Sequence, residues 1–434
     1  MPLEALRPAR ARFSSGLRAI VTPMPWVHRA VLTAHLHVGS RYESEQDNGI
    51  SHFLEHMLFR GTERHASAHE LAVAFEDLGG TLVAATAADH GTLAIGVPPE
   101  SLPAVIELFA EVFREPLIQG IDIERGIIRE EILEDLDETG QLIDGPTLVR
   151  QLSFGAHPLG YPITGKLESL ETFTRAALLE HHRRHYTAHG TVVSVAGPVV
   201  ADDVLAALDR AFTGVPAGEL PPYEAPPAHA GPHYRHVQHS GSQTALHLAF
   251  RGPSDGDPLE PAVEMLLRVI DDGMATRLYH RLCDSRGLCY DAGASYEAYA
   301  DTGLVELSTE TAHEHAAEVL EEMLRLTDEL AESGPTPEEL ARAMRRCRWQ
   351  HEAMLDDAGD VADYLALAEL TGSAPTPRDR LAELEAVTRT QVLDVARQVF
   401  RREGLSVVTV GRQSERARAK LRQRIERSDL ENRA

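Results

Sequence analysis

Residues 52–56 read His52-Phe53-Leu54-Glu55-His56. On a helix, His52 and His56 are four apart and stack on one face. Two imidazoles so placed can share a divalent metal ion, and Glu55 projects beside the same ion. Asn48-Gly49 breaks the chain before this segment, and Gly61 supplies a stop after it. Phe53, Leu54, Met57, Leu58 and Phe59 are apolar, so the helix is expected to be largely buried. Two histidines and a glutamate inside a buried helix are costly without partners. A metal ion would be that partner; the bland alternative is a pair of core histidines bonded to backbone. With 22 His in 434 residues, chance alone yields roughly 0.1 such pentapeptides. Further features must decide.

A catalytic zinc takes three protein ligands and keeps a fourth position for water. The richest source of a third donor is the acidic stretch 123–138, which holds Glu124, Glu130, Glu131, Glu134, Asp135, Asp137 and Glu138. Most of these carboxylates read as a solvated helix face. Glu124 and Glu131, however, are seven apart and share a face, so one could bind metal while the other supports it. Ile127, Ile128, Ile132 and Leu133 indicate that part of this helix is buried.

The elements that must position these groups come from a duplicated chain. Residues 174–197 (TRAALLEHHRRHYTAHGTVVSVAG) align without gaps on 388–411 (TRTQVLDVARQVFRREGLSVVTVG) at an offset of 214. Each copy is a helical pattern ended by glycine and followed by a β-branched run that reads as a buried strand. The same offset sets Glu124 opposite Glu338 and Glu131 opposite Arg345. The region opposite His52–His56, around Leu266–Ile270, has no histidine pair, so a metal site is expected in one half only. The expected organisation is one domain at 1–217, a Pro/Gly/Ala-rich linker at 218–234 and a second domain at 235–434. The second domain ends in a charged helical tail whose arginines, among them Arg422 and Arg424, read as a solvated face. In the first half, Val31–Val38 alternates as a strand with Leu32, Ala34, Leu36 and Val38 on one face. Residues 81–86 and 92–97 read as a hairpin, and helices are expected at 67–78, 101–114, 122–138 and 172–186. The fold class is α+β: two homologous α/β sandwich domains, each a mixed sheet covered by helices.

Composition bounds the function. Hydrophobic content of 43% with 25% charged residues suits a globular protein, and 434 residues suit two to three domains. A net charge of −25 argues against nucleic acid and against docking on anionic membranes. No stretch approaches the roughly 20 apolar residues of a membrane span. Cys283, Cys289 and Cys347 are an odd, sparse set that reads as free thiols in a reducing compartment. Met1–Arg12 lacks an apolar signal core, so a cytoplasmic location is expected.

With these residues in place, the chain resembles the inverzincin metallopeptidases of the pitrilysin, insulinase and mitochondrial-processing-peptidase family. The resemblance rests on GISHFLEHMLFRGT (49–62), ERGIIREEI (124–132) and HPLGYPITG (157–165), with 74 residues between His56 and Glu131. It covers essentially the whole chain, in the compact two-repeat form of the small bacterial subfamily. It implies that His52, His56 and Glu131 bind one zinc ion (Zn2+), that Glu55 is the general base, and that Glu124 supports a liganding imidazole. Glu131 is preferred to Glu130 because it keeps the seven-residue spacing from Glu124. It also implies that a peptide substrate adds as a strand along Leu82, Val83 and Ala84, where the family's Asn-Ala pair is Val83-Ala84 here. Members that are complete in one chain carry an Arg and a Tyr in the second half. In RLCDSRGLCY (281–290) Tyr290 matches the tyrosine, but Cys283 stands at the arginine position, and neither Arg281 nor Arg286 has the spacing. Loss of a charged oxyanion partner lowers the rate by orders of magnitude unless another chain supplies it. The resemblance thus implies a zinc metalloendopeptidase acting on peptides or unfolded segments in an enclosed chamber. Its partner would be a related subunit with the Arg/Tyr pair in a heterodimer, a homodimer being the other arrangement. The rivals are a non-catalytic assembly or chaperone-like subunit, and a metal-binding protein without hydrolysis. Among other histidines, His181, His185 and His189 read as solvated residues near a helix end. His35 and His37 share a strand face that could approach the cleft.

Overall fold

The β-branched runs of the sequence become strands, and the computed structural model describes them within residues 6–373 and 376–426. Contacts divide the chain into two units. The first comprises Met1–Glu134, Tyr161–Glu224 and Gln350–Arg380; the second comprises Asp135–Gly160, Ala225–Trp349 and Leu381–Ala434. These units differ from the contiguous halves 1–217 and 235–434, because each takes in one segment from the other half of the chain.

In the first unit the strands are β1 (Ala9–Arg12), β2 (Arg18–Pro23), β3 (Ala30–Leu36), β4 (Val83–Thr86), β5 (Gly91–Val97) and β6 (Thr191–Gly197). Their order is β1-β2-β6-β3-β5-β4, with β2 and β6 parallel and the other pairs antiparallel. Helices α1 (Ile50–Leu58), α2 (Ala68–Glu76), α3 (Leu102–Arg114) and α4 (Ile121–Glu134) belong to this unit, as does the helix Arg175–His185. The expected helices therefore form, with one shortened. The acidic helix was expected to run to 138 and stops at Glu134. The Asp137 carboxylate accepts the N–H groups of Thr139 (2.8 Å) and Gln141 (2.9 Å) and turns the chain instead.

All seven residues of β3 are buried, although the alternation suggested one apolar face. The second face is covered too: the helix Ala358–Thr371 packs on β3 and β6, and His35 Nε2 lies 2.7 Å from Asp363 Oδ1. His35 is thereby spent on this helix. In the core of the unit, Phe113 is fully buried with its ring centroid 5.1 Å from Tyr186 and 5.6 Å from Phe212. Phe113→Ala should cost about 3–5 kcal/mol through the cavity it leaves, read as a lowered denaturant midpoint. An unchanged midpoint would mean that this cluster can collapse around the gap.

In the second unit the strands are β7 (His233–Gln238), β8 (Thr244–Gly252), β9 (Cys289–Tyr299), β10 (Thr302–Thr311) and β11 (Leu405–Gly411), ordered β7-β11-β8-β10-β9. The plan repeats β2-β6-β3-β5-β4, with the parallel pair, β7 and β11, in the same place. Helix α5 (Gly145–Phe154) packs on β8 and β11, the strands equivalent to β3 and β6. The offset of 214 carries α5 onto 359–368, inside the helix Ala358–Thr371. The duplicated plan thus includes a covering helix exchanged between the two halves of the chain, and the fold is α+β as expected. The tail forms the helix Glu415–Glu426, which buries Leu421 and Ile425. Its arginines are not simply solvated: Arg422 stacks 6.0 Å over the Tyr234 ring, and Arg424 lies 3.8 Å from Asp328. Among the described residues, no helix is long and apolar enough to cross a membrane.

Candidate metal centre

Helix α1 begins at Gly49, whose φ of +96° only glycine adopts freely. A Cβ there would lie 2.6 Å from the Cα of Gly165, so two of the sequence runs singled out above meet backbone to backbone. The buried Glu43 carboxylate accepts the N–H groups of Gly49 (2.8 Å) and Ser51 (2.9 Å) and the Asn48 amide (3.0 Å). Burial raises the Glu43 pKa, and these bonds oppose the rise. The negative charge sits where a helix start favours it. Sequence reasoning missed Glu43; its only signal was an acidic residue in the turn before the helix. Ile50, Phe53, Leu54, Met57 and Leu58 anchor the helix in the core.

One turn of α1 brings the two imidazoles together edge to face, with ring centroids 4.7 Å apart and planes at 66°. His52 Nε2 lies 3.5 Å from Glu131 Oε1, and His56 Nε2 lies 3.7 Å from Glu131 Oε2. One ligand atom from each of His52, His56 and Glu131 fits within a 4.8 Å cluster. Burial, and then the neighbouring His56, lower the His52 pKa to about 3, so its ring is neutral, as a metal ligand must be. His56 differs. Burial works against its charge, but the Glu124 hydrogen bond and the charges of Glu124, Glu131 and Glu55 outweigh it and raise its pKa. His56 Nδ1–H donates to the buried Glu124 carboxylate at 3.1 Å, leaving Nε2 to face Glu131. Arg60 Nη1, 3.2 Å from the other Glu124 oxygen, holds that carboxylate from behind and was not foreseen.

Helix α4 turns Glu124, Ile128 and Ile132 inward, which carries Glu131 toward the histidines and leaves Glu130 exposed. Glu55 points toward β4, where the Thr86 hydroxyl donates to Glu55 Oε2. Burial raises the Glu55 pKa and the Thr86 bond lowers it. Strand β4 forms the edge of the sheet, paired only with β5 among the described strands. Leu82 is buried just ahead of it, Val83 is 56% exposed, and Ala84 is half-buried. Thr86 is a third residue that the sequence reading did not single out.

Tyr290 lies in the second unit near the start of β9 and is 93% exposed. Cys283 occupies the turn before it, and both nearby arginines are held in ion pairs. Arg281 pairs with Glu329, and Arg286 pairs with Glu318 and Glu322. The histidines expected to be solvated are not. His185 is 1% exposed and donates from Nδ1 to the His37 carbonyl at 2.8 Å, while His181 Nε2 lies 3.0 Å from Ser51 Oγ. The helix Arg175–His185 packs on α1, and of its histidines His181 reaches that helix, at Ser51.

Residues 24–157 match the profile of Insulinase (Peptidase family M16), and residues 172–347 match that of the Peptidase M16 inactive domain. An uncharacterized zinc protease of Mycobacterium tuberculosis is 31% identical over 418 residues, 94% of each chain. The chain belongs to peptidase family M16. A similar uncharacterized zinc protease of Streptomyces coelicolor is 30% identical, covering 92% of this chain and 89% of that one. Among solved structures, a protease from Helicobacter pylori superposes with a TM-score of 0.87 at 19% identity, covering 94% of this chain and 100% of that one. A structure described as a peptidase M16 inactive domain from Pseudomonas fluorescens gives a TM-score of 0.87 at 20% identity, covering 94% and 98%. Within the M16 pattern, the half carrying the His/Glu cluster matches the peptidase profile and the half without it matches the inactive one.

Proposed function

We propose that the chain is a zinc metalloendopeptidase subunit that hydrolyses peptide bonds in peptides or unfolded segments. The observation that carries this reading is the convergence of His52, His56 and Glu131 beside Glu55. Two imidazole nitrogens and one carboxylate, drawn from two helices, form a donor set that suits one zinc per chain. Bound there, zinc supplies Lewis acidity, lowering the pKa of water toward neutrality and polarising the scissile carbonyl. Glu55 takes the proton of the attacking water on its carboxylate and passes it to the leaving amine. Its raised pKa suits a group that must both accept and return a proton. Glu124 fixes the tautomer and orientation of His56. The substrate adds as a strand along the open edge of β4, meeting the backbone of Leu82, Val83 and Ala84.

Tyr290 is the retained half of the family's Arg/Tyr pair, and Cys283 stands where the arginine would be. With Arg281 and Arg286 tied in ion pairs, the arginine comes from a related subunit, and this chain is the catalytic half of a cytoplasmic heterodimer. The second reading, a non-catalytic assembly subunit of the same fold, draws its support from Cys283 and from the match of residues 172–347 to the inactive-domain profile. Metal analysis separates the two halves of the claim. The purified chain should carry about one zinc. His52→Ala, His56→Ala and Glu131→Gln should each lose most of it, together with peptide hydrolysis, whereas Glu130→Gln should keep both. Metal loss in Glu130→Gln with retention in Glu131→Gln would overturn the assignment. A fully loaded chain that cleaves no peptide with any related subunit would leave the assembly reading.

A further inference from the structure

Cys283 and Cys289, which the metal centre does not use, place their Sγ atoms 3.3 Å apart in the second unit. Cys283 lies in a widened helical turn, His280–Asp284, in which the Ser285 N–H reaches back to the His280 carbonyl at 2.9 Å. Such turns recur at functional sites. The chain then doubles back. Gly287 N–H donates to the Cys283 carbonyl (3.0 Å), and Leu288 N–H donates to the Leu282 carbonyl (2.8 Å). Gly287 takes a φ of +58° to make the turn. These backbone bonds hold the two thiols together before any covalent link forms. Both thiols are partly buried, whereas Cys347 is completely buried.

We propose that Cys283 and Cys289 form a redox-active dithiol that closes reversibly to an intrachain disulfide when it meets a low-molecular-weight disulfide. The sulfurs need to move only from 3.3 Å to about 2.0 Å. Burial, the Cys289 contact and then the carboxylates of Asp291 and Asp271 push the Cys283 thiol up to about 12. Cys289 adjoins the exposed Tyr290 and so is the thiol placed to meet the oxidant. Its thiolate attacks one sulfur of the small disulfide, forming a mixed disulfide and expelling one small thiolate. Cys283 then gives its proton to solvent and attacks the Cys289 sulfur, expelling the second thiolate. In sum, the protein loses two electrons and two protons, and one small disulfide becomes two thiols. The bond ties the widened turn to the residue preceding Tyr290, so oxidation fixes the start of β9 from which that exposed side chain projects.

The test uses the full chain equilibrated with excess oxidised glutathione, followed by alkylation, intact mass measurement and peptide mapping. The wild-type chain should lose two hydrogens, map the link to Cys283–Cys289, and regain both thiols with dithiothreitol. Cys347→Ser should close in the same way. Cys283→Ser should not close and should instead carry one glutathione on Cys289. Separate glutathione adducts on the wild-type cysteines, untouched thiols, or a link that includes Cys347 would each overturn the proposal. The mapping on wild-type protein stands whether or not either variant folds. The outcome is also independent of metal content or peptidase activity.

Discussion

Glu55→Gln is expected to keep its zinc and its peptide affinity while losing hydrolysis by roughly 10²-fold or more. Glutamine has nearly the shape of glutamate, and its amide oxygen can still accept the Thr86 hydroxyl, so the edge of β4 and helix α1 should stay where they are. What goes is the carboxylate that takes a proton. Metal content should be unchanged because the proposed donors are His52, His56 and Glu131, and Glu55 turns toward Thr86. Three readings are needed on one preparation: zinc per chain, affinity for a non-cleaved peptide, and turnover of a fluorogenic peptide. Undiminished turnover would remove Glu55 from the mechanism. Parallel loss of zinc and turnover would make it a ligand or a structural prop.

The metal cluster was legible because its chemistry is written in local spacing. Four residues make one helical turn, so His52 and His56 had to share a face. Seven make two, so Glu124 and Glu131 had to share another. The choice between Glu130 and Glu131 followed from that spacing, and the burial of Ile128 and Ile132 beside them is its physical counterpart. What holds the cluster was less legible. Glu43, Arg60 and Thr86 act from a loop, a helix end and an edge strand, and only Glu43, an acidic residue just ahead of a helix, has any local mark. His181 and His185 looked like a polar helix end. Long-range contacts decide otherwise: His181 meets Ser51 on α1, and His185 is buried against the His37 carbonyl and the Tyr42 ring.

The fold had the same division. The offset of 214 exposed the repeat, and β7-β11-β8-β10-β9 reproduces β2-β6-β3-β5-β4. A repeat states which segments correspond, however, and not which sheet each one covers. That α5 packs on β8 and β11, while the helix Ala358–Thr371 packs on β3 and β6, is decided by long-range burial. The sequence carries no trace of it: Thr33 and His35 alternate as if toward solvent, yet both are buried.

The second large effect concerns what the chain lacks. By itself, and loaded with zinc, the chain should hydrolyse peptides slowly. Adding a related subunit with arginine and tyrosine in the equivalent run should raise the rate by roughly 10²–10³-fold, the usual worth of one preorganised oxyanion donor. The reasoning is electrostatic. In the proposed mechanism Glu55 and a bound zinc would activate water, but charge then develops on the carbonyl oxygen, and its donors must already be in place. Arg281 and Arg286 are engaged with Glu329, Glu318 and Glu322, and pulling either away would give up those ion pairs. Replacing the partner's arginine by alanine should cancel the gain while the two chains still associate, which separates chemistry from assembly. Full-rate cleavage by this chain, shown by mass spectrometry to be free of any partner, would end the heterodimer reading. In that case Cys283→Arg should add little, because the missing charge would already be supplied from within.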